Sequence, residues 1–479
     1  MAYDLSKADA LWKKLLLQQF HDILPGSSSA KVYVEAEKAF HEILDGIKEM
    51  NDCAMYKLVD QEQNKAVTVL NSLSFPRTTL VELPGEFASG AQTVEGDQVP
   101  VQKDGDKVKA LVTVPSCGAV SLIAAKVQVQ DQPAVTVKES SDGFVMENSH
   151  LIALVNKKGE MTSFVLKESQ REFVAEPMNR FRLYKDVPRL FDAWDIDSNY
   201  VDQEIEALHS IRVEVVTDGL EGVLKVTGKI SESDVTQYIR LSAESRRIEF
   251  ETEIDWKELH RLLKTSFPVN VYSENAINEI QFGYVERPTH RSKLYDKDRF
   301  EVCNHRYSAL CDGSHGAAVL NNCKYGISMN GNALELTLLR ASASPEMRAD
   351  NRIHHFTYAF TAWEGNFMDS DVVKQGYELN VQPLITCGAT ETFSALSIDK
   401  GNVILDTMKP AEDGSGDIIL RLYESKKAAV EAKISCGLRA ESIHLCDMLE
   451  NVLEEIPVEN ETFSLLFRAF EIKTVRIKK

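Results

Sequence analysis

No run of apolar residues in this 479-residue chain is long enough to span a bilayer. The start, Met1-Ala2-Tyr3-Asp4, is polar and acidic and does not read as a secretory leader. Cysteine is sparse: eight residues, at 53, 117, 303, 311, 323, 387, 436 and 446, with no Cys-x-x-Cys pair. That excludes a zinc ribbon, even for the closely spaced Cys303, Cys311 and Cys323. Free thiols in a reducing cytoplasm are the simplest reading, most of them buried as small apolar groups. Positive charge is also short, with 54 Lys and Arg against 73 Asp and Glu and a net charge of −19. Phosphate repulsion on that scale argues against a nucleic-acid partner. Internal repeats and coiled-coil heptads are absent as well.

What is present is the composition of an ordinary globular protein, 43% hydrophobic and 27% charged, long enough for two to four domains. Residues 4–58 read as two helices. Leu15, Phe20, Ile23 and Leu24 are apolar on the first, and Val32, Ala36, Ala39, Phe40, Ile43, Leu44 and Ile47 recur at helical spacing on the second. Two helices cannot bury both apolar faces alone, so the pattern implies a partial bundle whose remainder lies elsewhere. From Lys65 the period changes to two, as in Ala66–Leu70, Thr79–Leu83 and Val108–Val114, and further on in Ile211–Val216, Ile248–Ile254 and Ile418–Tyr423. Alternation of this kind fits antiparallel sheets buried on one face. The expected fold is mainly β with an N-terminal helical segment, a partial helix bundle followed by antiparallel β-sandwich domains. Its expected divisions are helices over 1–59, a small β domain over 60–132, a large sandwich over 133–400 and a small β domain over 401–479. The glutamine-rich stretch at 128–132 marks the second boundary, and 412–417 reads as a turn.

The most informative segment is Gln18-Gln19-Phe20-His21-Asp22-Ile23-Leu24-Pro25-Gly26-Ser27-Ser28-Ser29. A helix from Leu11 to Leu17 runs into it and stops at Pro25-Gly26, and Ser27–Ser29 offer N-cap hydroxyls for the next helix. An imidazole and a carboxylate therefore sit side by side at a helix end, which suits a metal ligand next to a substrate-binding acid. On the motif alone, a helix-end histidine satisfied by its neighbours is the commoner outcome. A second candidate is Asp192-Ala193-Trp194-Asp195-Ile196-Asp197, three acids around one indole. Indole faces stack on sugars and carboxylates accept sugar hydroxyls; a Trp buried at a strand end stands equally open. Carboxylates this close in sequence do not face each other across a glycosidic bond, so they are not a hydrolytic dyad.

The whole stretch from Trp12 to Ser28, followed by Val32-Tyr33 and Glu35, resembles the glycoside hydrolase family 38 α-mannosidases. Asp192–Asp197, Arg287-Pro288-Thr289-His290, Phe300-Glu301-Val302-Cys303, Leu320–Gly326, His355-Phe356-Thr357-Tyr358 and Tyr377-Glu378-Leu379-Asn380 continue that resemblance, to the cytosolic-type and bacterial branch. The resemblance implies that His21 is one of four zinc ligands, that Asp22 touches bound mannose, and that Trp194 and Asp195 contact substrate. It implies a retaining hydrolysis in which zinc holds sugar hydroxyls. Nucleophile, acid/base and the other three zinc ligands would lie in an N-terminal catalytic domain that this chain lacks, so no catalytic residue is expected within it. One departure is Arg352, where the family usually has Gly; a longer side chain at a tight loop puts substrate roles for Asp350 and His354 in doubt. Arg287–His290 reads as a loop, with Arg287 paired to Glu286, and Asp255-Trp256-Lys257-Glu258 as packing. His305, His315 and His444 read as structural or exposed.

The expected function is the C-terminal part of a retaining, zinc-dependent α-mannosidase acting on α-mannosides, inactive alone and cytoplasmic. Its partners would be a mannose-containing oligosaccharide, the missing catalytic domain and, as an option, a second copy of itself, with no nucleic acid and no membrane. The alternative is a non-catalytic β-sandwich that binds carbohydrate or serves as a scaffold, because a lone ligand cannot hold zinc.

Overall fold

The computed structural model describes residues 4–105, 107–126 and 134–479. The glutamine-rich boundary at 128–132 and the first three residues lie outside them. The chain opens with a helical hairpin, α1 (Leu5–Leu17) and α2 (Ala30–Leu58). Asp4 caps α1 by accepting from the Lys7 amide at 2.9 Å. Leu11 seats against Gly46 of α2, where an added Cβ would come within 2.8 Å of the leucine methyls. Lys7–Glu49, at 2.5 Å, and Lys14–Glu42 clip the two helices together. Little else is buried. No residue of α1 is, and α2 buries only Ala36, Ile43, Gly46 and Met55.

Beyond residue 66 the fold is antiparallel sheet, as the alternation predicts. The first β unit packs a sheet built on Val67–Asn71 and Gly118–Ala124 against the three strands Arg77–Leu83, Lys107–Val114 and Val101–Asp104. Between them lies a core that includes Val69, Phe87 and Leu122. The large unit has sheets of nine, six and five strands around one continuous core running from Val135 to Ala362. Phe250, Phe267, Tyr358 and Phe360 form its aromatic centre, with Phe267 and Phe360 stacked at 5.7 Å. The last unit packs a five-stranded sheet on a three-stranded one.

Several features depart from the sequence reading. Strand pairing crosses position 400. Leu384–Cys387 pairs with the Val67 strand, Phe393–Ser394 pairs with the Gly118 strand, and Leu396–Ile398 joins the final unit. A helix that the β pattern hid, α3 (Val372–Asn380), lies inside the large region. Cys436 and Cys446 are buried and Cys117 and Cys311 pack against core clusters, but Cys53, Cys303, Cys323 and Cys387 are exposed, so only half of the thiols are packing groups. Arg287 is on a strand, Gly283–Pro288, rather than a loop. Its expected partner Glu286 is bridged by Lys427 at 2.9 Å, while Arg287 itself faces Cys303. Trp256 is 1% exposed, and Glu258 accepts from the Glu232 amide and the Ser233 hydroxyl, both packing roles as read.

Candidate functional site

α1 ends at Leu17, four residues before His21, so His21 and Asp22 sit in consecutive turns over 18–26 rather than on the helix. Gly26, at φ 77°, takes the left-handed conformation that lets the chain reverse. The serines do not cap α2: Ser29 stands at the N-cap position without a side-chain cap bond. Ser27 and Ser28 turn to Asp22 instead. The Ser27 hydroxyl donates to Asp22 Oδ1 at 3.2 Å and the Ser28 hydroxyl to the Asp22 carbonyl at 2.7 Å. The Ser28 amide donates to the Tyr33 hydroxyl at 3.1 Å. The Asp22 carboxylate is therefore held in one orientation. The His21 ring stacks obliquely on Phe20 at 4.3 Å, with Nε2 3.6 Å from Asp22 Oδ2, and its side chain is 77% exposed. It is not a histidine satisfied within the fold.

The second candidate loop leaves the strand Arg180–Lys185 and returns at Glu204. Trp194 is 53% exposed, which removes the reading of a buried indole. Its neighbours are not free, however. Arg340, at the end of the strand Ala333–Arg340, forks onto the buried Asp186 with Nε–Oδ2 at 2.5 Å and Nη2–Oδ1 at 3.2 Å. The same guanidinium donates to the carbonyls of Asp192 at 3.0 Å, Ala193 at 3.3 Å and Asp195. The Asp192 carboxylate accepts from the amides of Ala343 and Ser344 at 2.6 and 3.1 Å and lies 3.1 Å from His260 Nε2. It is tied into the scaffold rather than available to a ligand. Burial pushes the Asp186 carboxyl above its ordinary range, against the pull of Arg340.

The loop 341–352 runs between the Trp194 loop and α2. One side supplies the amides that bind Asp192; the other faces α2, where Arg352 pairs with Glu37 at 2.5 Å. Tyr33 lies near enough to Asp350 and Glu346 that their charges add to burial in raising its hydroxyl pKa. Burial also raises Asp350, countered by Arg340, Arg352 and Lys324. It lowers His354, whose Nε2 lies 2.7 Å from the Asp350 carbonyl. The departure at Arg352 carries no left-handed backbone, and the side chain clips the loop to the hairpin. Arg340 escaped the sequence reading, while Tyr33 entered it only as part of the resemblance and Arg352 only as a departure from it. For Arg340 the signal was faint: a cation closing the alternating stretch Leu334–Leu339.

Among the described residues, no three His, Cys, Asp or Glu side chains converge as a metal site. His21 and Asp22 offer one imidazole and one carboxylate, fewer than the about four donors zinc takes. No helix among the described residues is long and apolar enough to cross a membrane.

This arrangement of hairpin, turn and three β units belongs to glycoside hydrolase family 38. The alpha mannosidase middle domain matches residues 1–58, the family 38 C-terminal domain 146–348, and the family 38 C-terminal beta sandwich domain 402–475. The chain is similar to Alpha-mannosidase 2C1 of Mus musculus, 32% identical over 99% of this chain and 46% of that protein. It is also similar to Alpha-mannosidase G of Dictyostelium discoideum, 29% identical over 97% of this chain and 47% of that protein. The chain thus spans about half the length of the curated relatives it matches. An alpha-mannosidase crystal structure from Enterococcus faecalis V583 shares the fold, with a TM-score of 0.80 at 14% identity, over 100% of this chain and 64% of that one.

Proposed function

We propose that this chain is the C-terminal part of a retaining, zinc-dependent α-mannosidase. It presents His21 as one of four zinc ligands and Asp22 as an acceptor for a mannose hydroxyl, while Trp194 and Asp195 line the sugar pocket. The observation that carries the reading is the His21-Asp22 turn itself. Its carboxylate is pinned by Ser27, and its imidazole is left exposed beside it. The Asp22 bond satisfies the buried Ser27 hydroxyl, but leaving the His21 ring 77% exposed beside it gains little for this chain's own packing. When bound, zinc would hold sugar hydroxyls. Nucleophile, acid/base and the remaining ligands come from outside the chain. Asp22 orients the sugar, and the β units support the loops around it. The family's α-mannosidases make an α-mannoside the substrate class.

The test is His21→Ala in the complete enzyme, with zinc counted after dialysis against a chelator. The expected loss of affinity exceeds the roughly 10–100-fold typical when only a partner of a ligand is removed. The fold should survive, since the side chain packs little. Unchanged zinc content would remove His21 from the ligand set.

A further inference from the structure

We infer that Arg340 is a positioning residue that shapes the Trp194 loop into a pre-formed platform. Residues 186–197 have no helix or strand of their own, yet three of their carbonyls, from Asp192, Ala193 and Asp195, converge on one guanidinium. Carbonyl oxygens gathered at one point repel each other unless a donor with matching geometry sits between them. Arginine has five N–H groups in a rigid planar fork; lysine's single ammonium cannot reach the same set. The fork is itself held, because Asp186 takes two of its donors and is 3% exposed.

A second tie closes the loop from outside, where the Asp192 carboxylate accepts from two backbone amides of the neighbouring segment. Phe191, at φ 54°, supplies the reversal, and its carbonyl accepts from the Trp194 and Asp195 amides at 2.8 Å each. The loop's backbone hydrogen bonds point inward, and the Trp194 indole is left outside together with Leu190 and Phe191. A rigid platform binds a sugar without paying to order itself. That consequence rests on Trp194 as a sugar contact; the positioning role does not.

The experiment therefore has two arms. Trp12 is the other exposed indole, Trp256 and Trp363 being buried, so a Trp12→Phe background isolates Trp194. A Trp12→Phe, Trp194→Phe control defines the buried signal. Arg340→Lys in this background should add a nanosecond depolarisation component to Trp194 fluorescence and raise its quenching by acrylamide. Because leaving Asp186 buried and unpaired risks the fold, Arg340→Gln with Asp186→Asn removes both charges together and should show the same component. Unchanged Trp194 anisotropy in both variants, or a lost fold with no local mobility in any folded variant, overturns the inference. The second arm measures the complete enzyme on an aryl α-mannoside. Arg340→Lys and Trp194→Ala should both raise KM several-fold with kcat retained. Mobility gained with KM unmoved in both would sink the sugar contact while supporting the positioning role.

Discussion

Two tryptophans face solvent and two do not. Trp12, on the hairpin, is 60% exposed and Trp194 53%, whereas Trp256 and Trp363, in the large β unit, are 1% and 5%. The same division holds for the aliphatic and aromatic residues around them. Leu17, Phe20, Leu24, Val34 and Leu44 of the hairpin and its turn lie open, while Phe250, Leu263, Phe267 and Phe360 of the sandwich are at 0%. Residues of one chemical kind therefore have opposite fates in one chain. The sandwich satisfies itself, because each sheet face meets another across a dry layer. The hairpin offers more apolar surface than two helices can cover, and exposed patches of this sort mark contact surfaces. The candidate site lies where these two regimes meet, on turns and loops held by a rigid scaffold.

The comparison breaks most decisively on activity. On the proposed assignment the purified chain should not hydrolyse aryl α-mannosides, since His21 then serves as a metal ligand and Asp22 as a sugar contact, and neither as nucleophile. Measurable zinc-dependent turnover by the chain alone would mean that the site is complete within it. Next in size is stability. Trp256→Ala opens a cavity in the sandwich core and should cost about 3–5 kcal/mol in denaturant titration. Trp12→Ala should stay within about 0.5 kcal/mol. Comparable losses from both would erase the distinction between the regions.

A smaller effect probes where the sandwich meets the last unit. Lys426 is 7% exposed, and its ammonium donates to the carbonyls of Met368 at 2.9 Å and Ser370. Burial pushes its pKa down to about 8. An unfolded lysine titrates near 10.4, so between these values the unfolded chain holds a proton that the folded chain has released. Stability contributed through Lys426 should therefore rise as pH climbs from about 8 to about 10.4. Melting temperatures of the parent and Lys426→Met across that range check it; parallel curves would show that the ammonium is not desolvated. The smallest expected effect is local. Amides of α1 should exchange through openings well below the global unfolding energy, because short helices owe their stability to packing and α1 has almost none. Protection in α1 equal to that in the strand Arg247–Asp255 would contradict the contrast.

Much of the fold was legible. Val32 to Ile47 is helical because its apolar residues recur at helical spacing, and Ile248–Ile254 is a strand because alternate residues face a core. The site was half legible. His21 and Asp22 stand out as a polar pair between apolar neighbours, and Trp194 as an indole among acids. The way they are held was not. The serines fail to cap α2 because the Asp22 turn captures Ser27 and Ser28, a competition between local hydrogen bonds and capping that spacing alone does not resolve. The placing of Leu384–Cys387 and Phe393–Ser394 in the first β unit depends on pairings more than 250 residues distant in the chain, such as Thr68 with Thr386, whereas Leu396–Ile398 pairs with Ile434–Cys436.

By itself, then, the order of residues determined the local periods, the two helices, most strands and the candidate side chains, because these depend on spacings of a few residues. Tertiary structure alone decided that Arg340 meets Asp186 and the carbonyls of the Trp194 loop about 150 positions away. It alone also decided that the loop 341–352 links this platform to α2, the helix that follows the His21-Asp22 turn. Such contacts depend on which sheet edges close on one another, and that is set by packing across the whole core rather than by any local pattern.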